Sequence, residues 1–203
     1  MRQETDGVLV LEDSDLCRIP VRQKRANKGT YGPLLCIAGS EGMAGAAYLS
    51  ALAAYRSGAG LVRILTPEVN RSILQIQLPE AIVESYDLET ASMAAENPGE
   101  AFLVQQKGGI TVSEEESTKV TERGQHLQLS LSHLEALLAS CKAVVLGPGL
   151  GQSEYAAALV RETLRHCRVP LIADADALNL IARRTSLLAL RKSPWIFTPH
   201  PGE

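Results

Sequence analysis

From Pro33 onward, short apolar runs alternate with stretches of helical period. PLLCIAGS (33–40) is a compact apolar run ending in Gly39-Ser40, and AGAAYLSALAAYRSG (44–58) is small and apolar throughout, with Gly58 placed to stop a helix. LVRILT (61–66) predicts a second strand, Pro67-Glu68 a first helical turn, VNRSILQIQL (69–78) a short helix and AIVES (81–85) a third strand. After Asp87 the period dissolves: Asn97-Pro98-Gly99, Gly108-Gly109 and Glu114-Glu115-Glu116 make residues 88–127 read as a flexible insertion, or a hairpin using AFLVQQ and GITV. The rhythm then resumes with SHLEALLAS (132–140) as helix, KAVVLG (142–147) as buried strand and SEYAAALVRETLRHC (153–167) as an amphipathic helix capped by Ser153. PLIADA (170–175), the helix from Ala177 to Arg184 and the strand exit WIFTP (195–199) complete the series. Strands separated by helices imply parallel pairing with helices on both faces, so the expected fold class is α/β, a three-layer α/β/α sandwich with a mainly parallel sheet.

Composition narrows the function classes. The 203 residues are 45% apolar, and 20 Lys+Arg against 23 Asp+Glu leave a net charge of −3, which supplies no field for nucleic acid or anionic lipid. A single domain over residues 1–203 is expected. Cys17, Cys36, Cys141 and Cys167 form no C-x-x-C pair, which argues against a zinc site or a disulfide framework and for a reducing cytoplasm. MRQETDGVLVLEDSDLCRIP is too acidic for a signal peptide, and no apolar run is long enough to span a bilayer. The expectation is a soluble, cytoplasmic protein.

In an open parallel sheet, ligands sit beyond the carboxyl ends of the strands, and these ends carry unusual residues here. The first loop spaces glycines at 39, 42 and 45 and runs into a helix, so bare backbone and the small pair Ala46-Ala47 allow close approach of an anion or a neighbouring strand. It is neither a G-x-G-x-x-G loop nor a P-loop. GPGLG (147–151), with Gly149 and Gly151, offers a second such backbone surface, or a tight turn. In DADALN, Asp174 and Asp176 share a side if the strand continues, where carboxylates suit Mg2+ held through water or the ordering of a substrate hydroxyl; Asp176 has the alternative use of a helix N-cap. His200 is framed by two prolines, while His126, His133 and His166 read as surface groups.

Together NKGTYGPLLCIAGSEGMAGAAYLSALAAYRSGAGLV (27–62), LPEAIV (78–83), VVLGPGLG (144–151), LIADADALNLIA (171–182) and FTPHPGE (197–203) resemble, in order and spacing, the ADP- or ATP-dependent NAD(P)H-hydrate dehydratases of the ribokinase-like superfamily. The resemblance implies a repair reaction: a nucleoside di- or triphosphate, with Mg2+, phosphorylates the hydroxyl of the S-epimer of NADH or NADPH hydrate, and loss of phosphate restores the dihydronicotinamide. It implies substrate contacts at Ala46, Gly149, Gly151 and His200, and support of the site or its metal by Asp174, Asp176 and Asn179. Lys28 and Gly29 fall in the family's KG-x-x-G segment, taken as structural closure, and a homo-oligomer is a further implication.

The departures matter equally. The family continues past HPGE into a G-T-G-D segment whose aspartate serves as base in ribokinase-like enzymes, and no G-T-G-D occurs in this sequence, so no catalytic residue is identified. The expectation is an inactive N-terminal portion of a stand-alone dehydratase, with an uncovered sheet edge that lowers solubility. Two rival readings are a ribokinase-like kinase of vitamin precursors and a non-catalytic nicotinamide-nucleotide-binding protein.

Overall fold

The computed structural model describes residues 31–86, 129 and 131–201, with Glu4–Thr5, Val8–Leu9 and Arg25. The expected insertion at 88–127, its two candidate strands and His126 lie outside the described residues. A small antiparallel pair, β1 (Glu4–Thr5) and β2 (Val8–Leu9), stands apart from the main sheet. The main chain then runs β3 (Pro33–Ile37), α1 (Ala44–Arg56), β4 (Leu61–Pro67), a 3-10 turn (Glu68–Asn70), α2 (Arg71–Gln77) and β5 (Ile82–Tyr86). It resumes with α3 (Leu131–Ser140), β6 (Ala143–Leu146), α4 (Glu154–His166), β7 (Leu171–Ala173), α5 (Asp176–Arg183), a 3-10 segment (Thr185–Leu190) and β8 (Trp195–Phe197).

Six strands pair in the order β5-β4-β3-β6-β7-β8, every ladder parallel. Alternation along β3 shows why it reads as an unbroken apolar run. Leu35 and Ile37 face one core with Leu134, Leu137, Leu159 and Leu164 of α3 and α4, whereas Cys36 and Ala38 face a second core with Ala47, Ala51 and Leu74 of α1 and α2. Helices therefore cover both faces of the sheet, the three-layer arrangement expected from the strand-helix rhythm. The α1–α2 layer does not reach the far strands. In the row Cys36, Val145, Ile172, Ile196, set by register, burial runs from complete at Cys36 to 57% exposure at Ile196.

Local chemistry sets the helix limits. α1 ends at Arg56, and Gly58 at φ +103° permits the paired bonds Gly58 N–H to Tyr55 O and Ala59 N–H to Ala54 O, which satisfy the last carbonyls. Ser153 caps α4 by accepting from the Ala156 amide at 3.1 Å, as its position in the sequence predicts. His133 and His166 are more than surface groups: His166 Nδ1 lies 2.7 Å from Glu135 and His133 Nε2 lies 3.7 Å from Glu84, so each bridges two elements. Among the described residues no helix is long and apolar enough to cross a membrane.

Candidate functional site

Strand order identifies the crevice. The chain leaves β3 toward β4 and β5, then returns to the other side of β3 as β6, so connections diverge between β3 and β6, the switch point beyond whose carboxyl ends open α/β sheets bind their ligands. The two glycine loops flank that point. They are joined by the Gly39 amide, which donates to the Pro148 carbonyl at 2.9 Å, and by the Gly147 amide, which donates to Ile37 O at 3.0 Å.

Each glycine of GPGLG has its own neighbour. Gly147 takes φ +120°, and a Cβ there would lie 2.0 Å from the Asp174 carbonyl and 2.6 Å from Ala177 Cβ, so the turn after β7 occupies that space. Gly149, at φ +61°, is pressed against the first loop: its Cβ would meet Ala46 Cβ at 2.7 Å and Met43 Cβ at 3.1 Å. Gly151 spends its amide on Asp176, 2.8 Å to Oδ2. In contrast, Cβ atoms at Gly42 and Gly45 would meet nothing within 4 Å, which leaves the rim of the first loop open to an incoming molecule.

α1 starts at this rim without a capping side chain, Met43 forming no side-chain bond at the N-cap and no acidic residue lying in the first turn. Its amide end therefore points partial positive charge at the crevice. Cys36, just beneath the loop, is no nucleophile: burial pushes its thiol up to about 12.

The turn after β7 departs from both sequence readings of DADALN. β7 ends at Ala173, and the Ala177 amide bonds to Asp174 O at 3.1 Å, closing a β-turn with Ala175 at φ 48°, ψ −118°. That conformation belongs to glycine in a type II′ turn. Asp176 neither continues the strand nor caps the helix, since Ala175 holds the N-cap position and Asp176 is the first helical residue. Its carboxylate instead reaches back to the Gly151 amide and to Gln152 Nε2, at 2.8 and 3.3 Å. Asp174 accepts from the Thr198 hydroxyl at 2.6 Å through Oδ1, which links β7 to the segment leading to His200. Asn179 lies within α5, and exposed His200 follows β8 at the same sheet edge, two strands from β6.

The structure thus brings Ala46 to Gly149, Gly151 to Asp176, and Asp174 to Thr198. The motif reading missed Thr66 and Asn70 beneath the first loop, both buried and bonded to each other at 3.0 Å. Their signal was available: Thr66 lies at the carboxyl end of β4, where the strand-end rule directs attention.

Residues 34–203 match the family model described as NAD(P)H-hydrate dehydratase. The bifunctional NAD(P)H-hydrate repair enzyme of Moorella thermoacetica is 33% identical over 189 residues, covering 92% of this chain and 30% of that protein. The corresponding enzyme of Gloeobacter violaceus is 34% identical, covering 96% of this chain and 31% of that protein. Among solved structures, the ADP/ATP-dependent NAD(P)H-hydrate dehydratase of Bacillus subtilis, co-crystallised with ATP and Mg2+, aligns with TM-score 0.55 at 28% identity over 90% of this chain and 49% of its own. A hypothetical protein of Streptococcus mutans aligns with TM-score 0.66 at 25% identity, over 95% and 55%. The chain accordingly spans about 30% of the length of these curated relatives and about half of these solved neighbours. With the family model matched over all but the first 33 residues, the chain belongs to the NAD(P)H-hydrate dehydratase family.

Proposed function

We propose that the crevice between the two glycine loops binds the S-epimer of NADH or NADPH hydrate and serves its ADP- or ATP-dependent dehydration to NADH or NADPH. The contact of Gly149 with Ala46 at the point where the strand connections diverge carries this reading, because it packs the two loops into one floor of backbone and methyl groups whose rim, at Gly42 and Gly45, stands open. The uncapped end of α1 suits the anionic pyrophosphate of the same ligand. β8 lies two strands from β6, about 10 Å at the usual strand spacing, so the segment carrying His200 leaves the sheet at a separation that a dinucleotide-sized molecule can span. Ala46, Gly149, Gly151 and His200 are the substrate contacts that the family resemblance implies, and the packing of Gly149 on Ala46 supports the first two.

In the reaction the hydrate hydroxyl attacks the terminal phosphoryl group of ADP or ATP, the bond to the rest of the nucleotide breaks to release AMP or ADP, and the hydroxyl proton passes to solvent. The carbon–oxygen bond then breaks with phosphate as leaving group, and loss of a ring proton restores the double bond. Such chemistry depends on position and charge neutralisation more than on covalent help from the protein. The chain's own part is to hold the hydrate with its hydroxyl directed out of the crevice, through backbone fixed by Asp176 and Asp174.

Mg2+ takes oxygen ligands, commonly one or two carboxylates with the rest from phosphates and water. Asp176 accepts from Gly151 and Gln152 and Asp174 from Thr198, each carboxylate keeping lone pairs for a further partner, and among the described residues no three His, Cys, Asp or Glu side chains gather as a metal site. The donors present fit a cation carried mainly by nucleotide phosphates, with Asp174 and Asp176 as the protein carboxylates and Asn179 beside them on α5. Bound there, Mg2+ would neutralise phosphate charge. The described cysteines are free thiols, which suits a reducing cytoplasm.

The test is calorimetric titration of the chain with enzymatically prepared NADPH hydrate, followed by recovery of reduced-nicotinamide absorbance on adding Mg2+ and ADP or ATP. Saturable binding supports the reading, and recovered absorbance would extend it to turnover. A chain that binds neither NADH hydrate nor NADPH hydrate refutes it.

A further inference from the structure

The loop after β3 is held from beneath by a side chain that no motif includes. Asn70 closes the 3-10 turn after β4 and is 1% exposed. Its carboxamide nitrogen donates to the Ser40 carbonyl and to the Thr66 hydroxyl, each at 3.0 Å, so both amide hydrogens are spent inside the protein. The Ser40 carbonyl also accepts from the Met43 amide at 2.9 Å, which makes it the acceptor that closes the turn leading into α1. Gly39, at φ +82°, sits in the same cluster: a Cβ there would lie 3.0 Å from Thr66 Oγ1 and 3.2 Å from Asn70 Nδ2.

We propose that Asn70 is a positioning residue of the crevice. By gripping the Ser40 carbonyl it fixes the turn from Ser40 to Met43 and the entry angle of α1, and through them the placement of Met43 and Ala46 against Gly149. The chemistry requires an amide. A carboxylate of the same shape can accept from Thr66 but offers no donor to the Ser40 carbonyl and repels it electrostatically. As regards the ligand, the inference rests on the functional reading above; as regards the loop, it stands on the hydrogen bonds themselves.

Two readouts separate positioning from a general loss of stability. Amide hydrogen exchange is compared between the loop Ser40–Ala46 and the strands β3 and β4, and NADPH hydrate is titrated into each variant. For Asn70→Asp, loop exchange is expected to rise by at least about tenfold while strand amides stay protected, and hydrate affinity to fall by at least about tenfold. Thr66→Val, which removes one anchor of the carboxamide, is expected to show the same pattern more weakly, and Thr66→Ser to behave as wild type. Should Asn70→Asp fail to fold, the Thr66 pair decides. Exchange that rises uniformly across the sheet, or a loop unchanged from wild type, would overturn the proposal, as would undiminished hydrate affinity. A wild-type chain without hydrate binding would sink the functional reading, and the exchange comparison would then decide the role of Asn70 alone.

Discussion

The Gly151 amide donates to the Asp176 carboxylate at 2.8 Å, tying the loop after β6 to the first residue of the helix after β7. The bond uses a charged acceptor for a loop amide, a stronger pairing than two neutral groups give. Removing the acceptor by Asp176→Ala is expected to cost about 1–3 kcal/mol in urea unfolding and to weaken hydrate binding, because the loop loses its anchor. Asp176→Asn keeps a neutral acceptor oxygen for Gly151 and is expected to lose about half as much of each. Equal losses in the two variants would show that charge, not the hydrogen bond, is what matters at this position.

Ala175 holds a positive φ of 48° at the center of the Asp174–Ala177 turn. A Cβ in this region costs about 1–3 kcal/mol, partly offset in glycine by its greater unfolded-state entropy. Ala175→Gly is therefore expected to raise stability by about 1 kcal/mol, read as an increase in Tm. A lower Tm would mean that the alanine methyl is held by packing that outweighs the strain.

Burial raises the Cys36 thiol to about 12 and the Cys141 thiol to about 11, from an ordinary value of 9.0. Both groups must stay neutral in the folded protein, whereas the unfolded chain ionises them from about pH 9 upward. Their contribution to stability is whole below pH 9 and is lost as pH rises toward the folded values. Urea midpoints are expected to fall between about pH 9 and 11, with a shallower slope in Cys36→Ala than in wild type. An unchanged slope would place the alkaline sensitivity elsewhere, with the hydroxyls of buried Tyr86 and partly buried Tyr155, also raised by desolvation, the next groups to examine.

Ile196 is 57% exposed and Phe197 44% exposed on β8, the edge strand of the sheet. Apolar edges invite pairing between molecules. Ile196→Thr keeps a β-branched residue on the strand and is expected to raise the concentration at which the chain stays monodisperse in light scattering, with little change in Tm. Unaltered association would remove this face from the account of solubility.

Much of the fold was legible because period and punctuation agree. The runs at Leu35, Ile64 and Val144 are buried on both sides, as continuous apolar strands require, and Gly58 and Ser153 mark helix ends by chemistry that acts within a few residues. The site was legible only in part. Glycine spacing located both loops, but the partner of each glycine depends on strands that are adjacent in space and far apart in sequence, such as Gly149 with Ala46. DADALN was misread for the same reason: local rules offer Asp176 a cap, while the stronger partner, Gly151, lies 25 residues away. Asn70 gave no local signal beyond its place after a strand, since its two acceptors are set by the tertiary fold.

Gly149 and Ala46 offer the most direct test of the crevice. A Cβ at position 149 would meet Ala46 Cβ at 2.7 Å on a backbone at φ +61°, so Gly149→Val forces the two loops apart, whereas Ala46→Val adds bulk to the floor between them. NADPH hydrate is titrated into wild type, Ala46→Val and Gly149→Val, with near-ultraviolet circular dichroism confirming that each is folded. The account predicts saturable binding to wild type and at least about a tenfold loss in both variants. Equal affinity in wild type and in folded variants with the floor altered would contradict it.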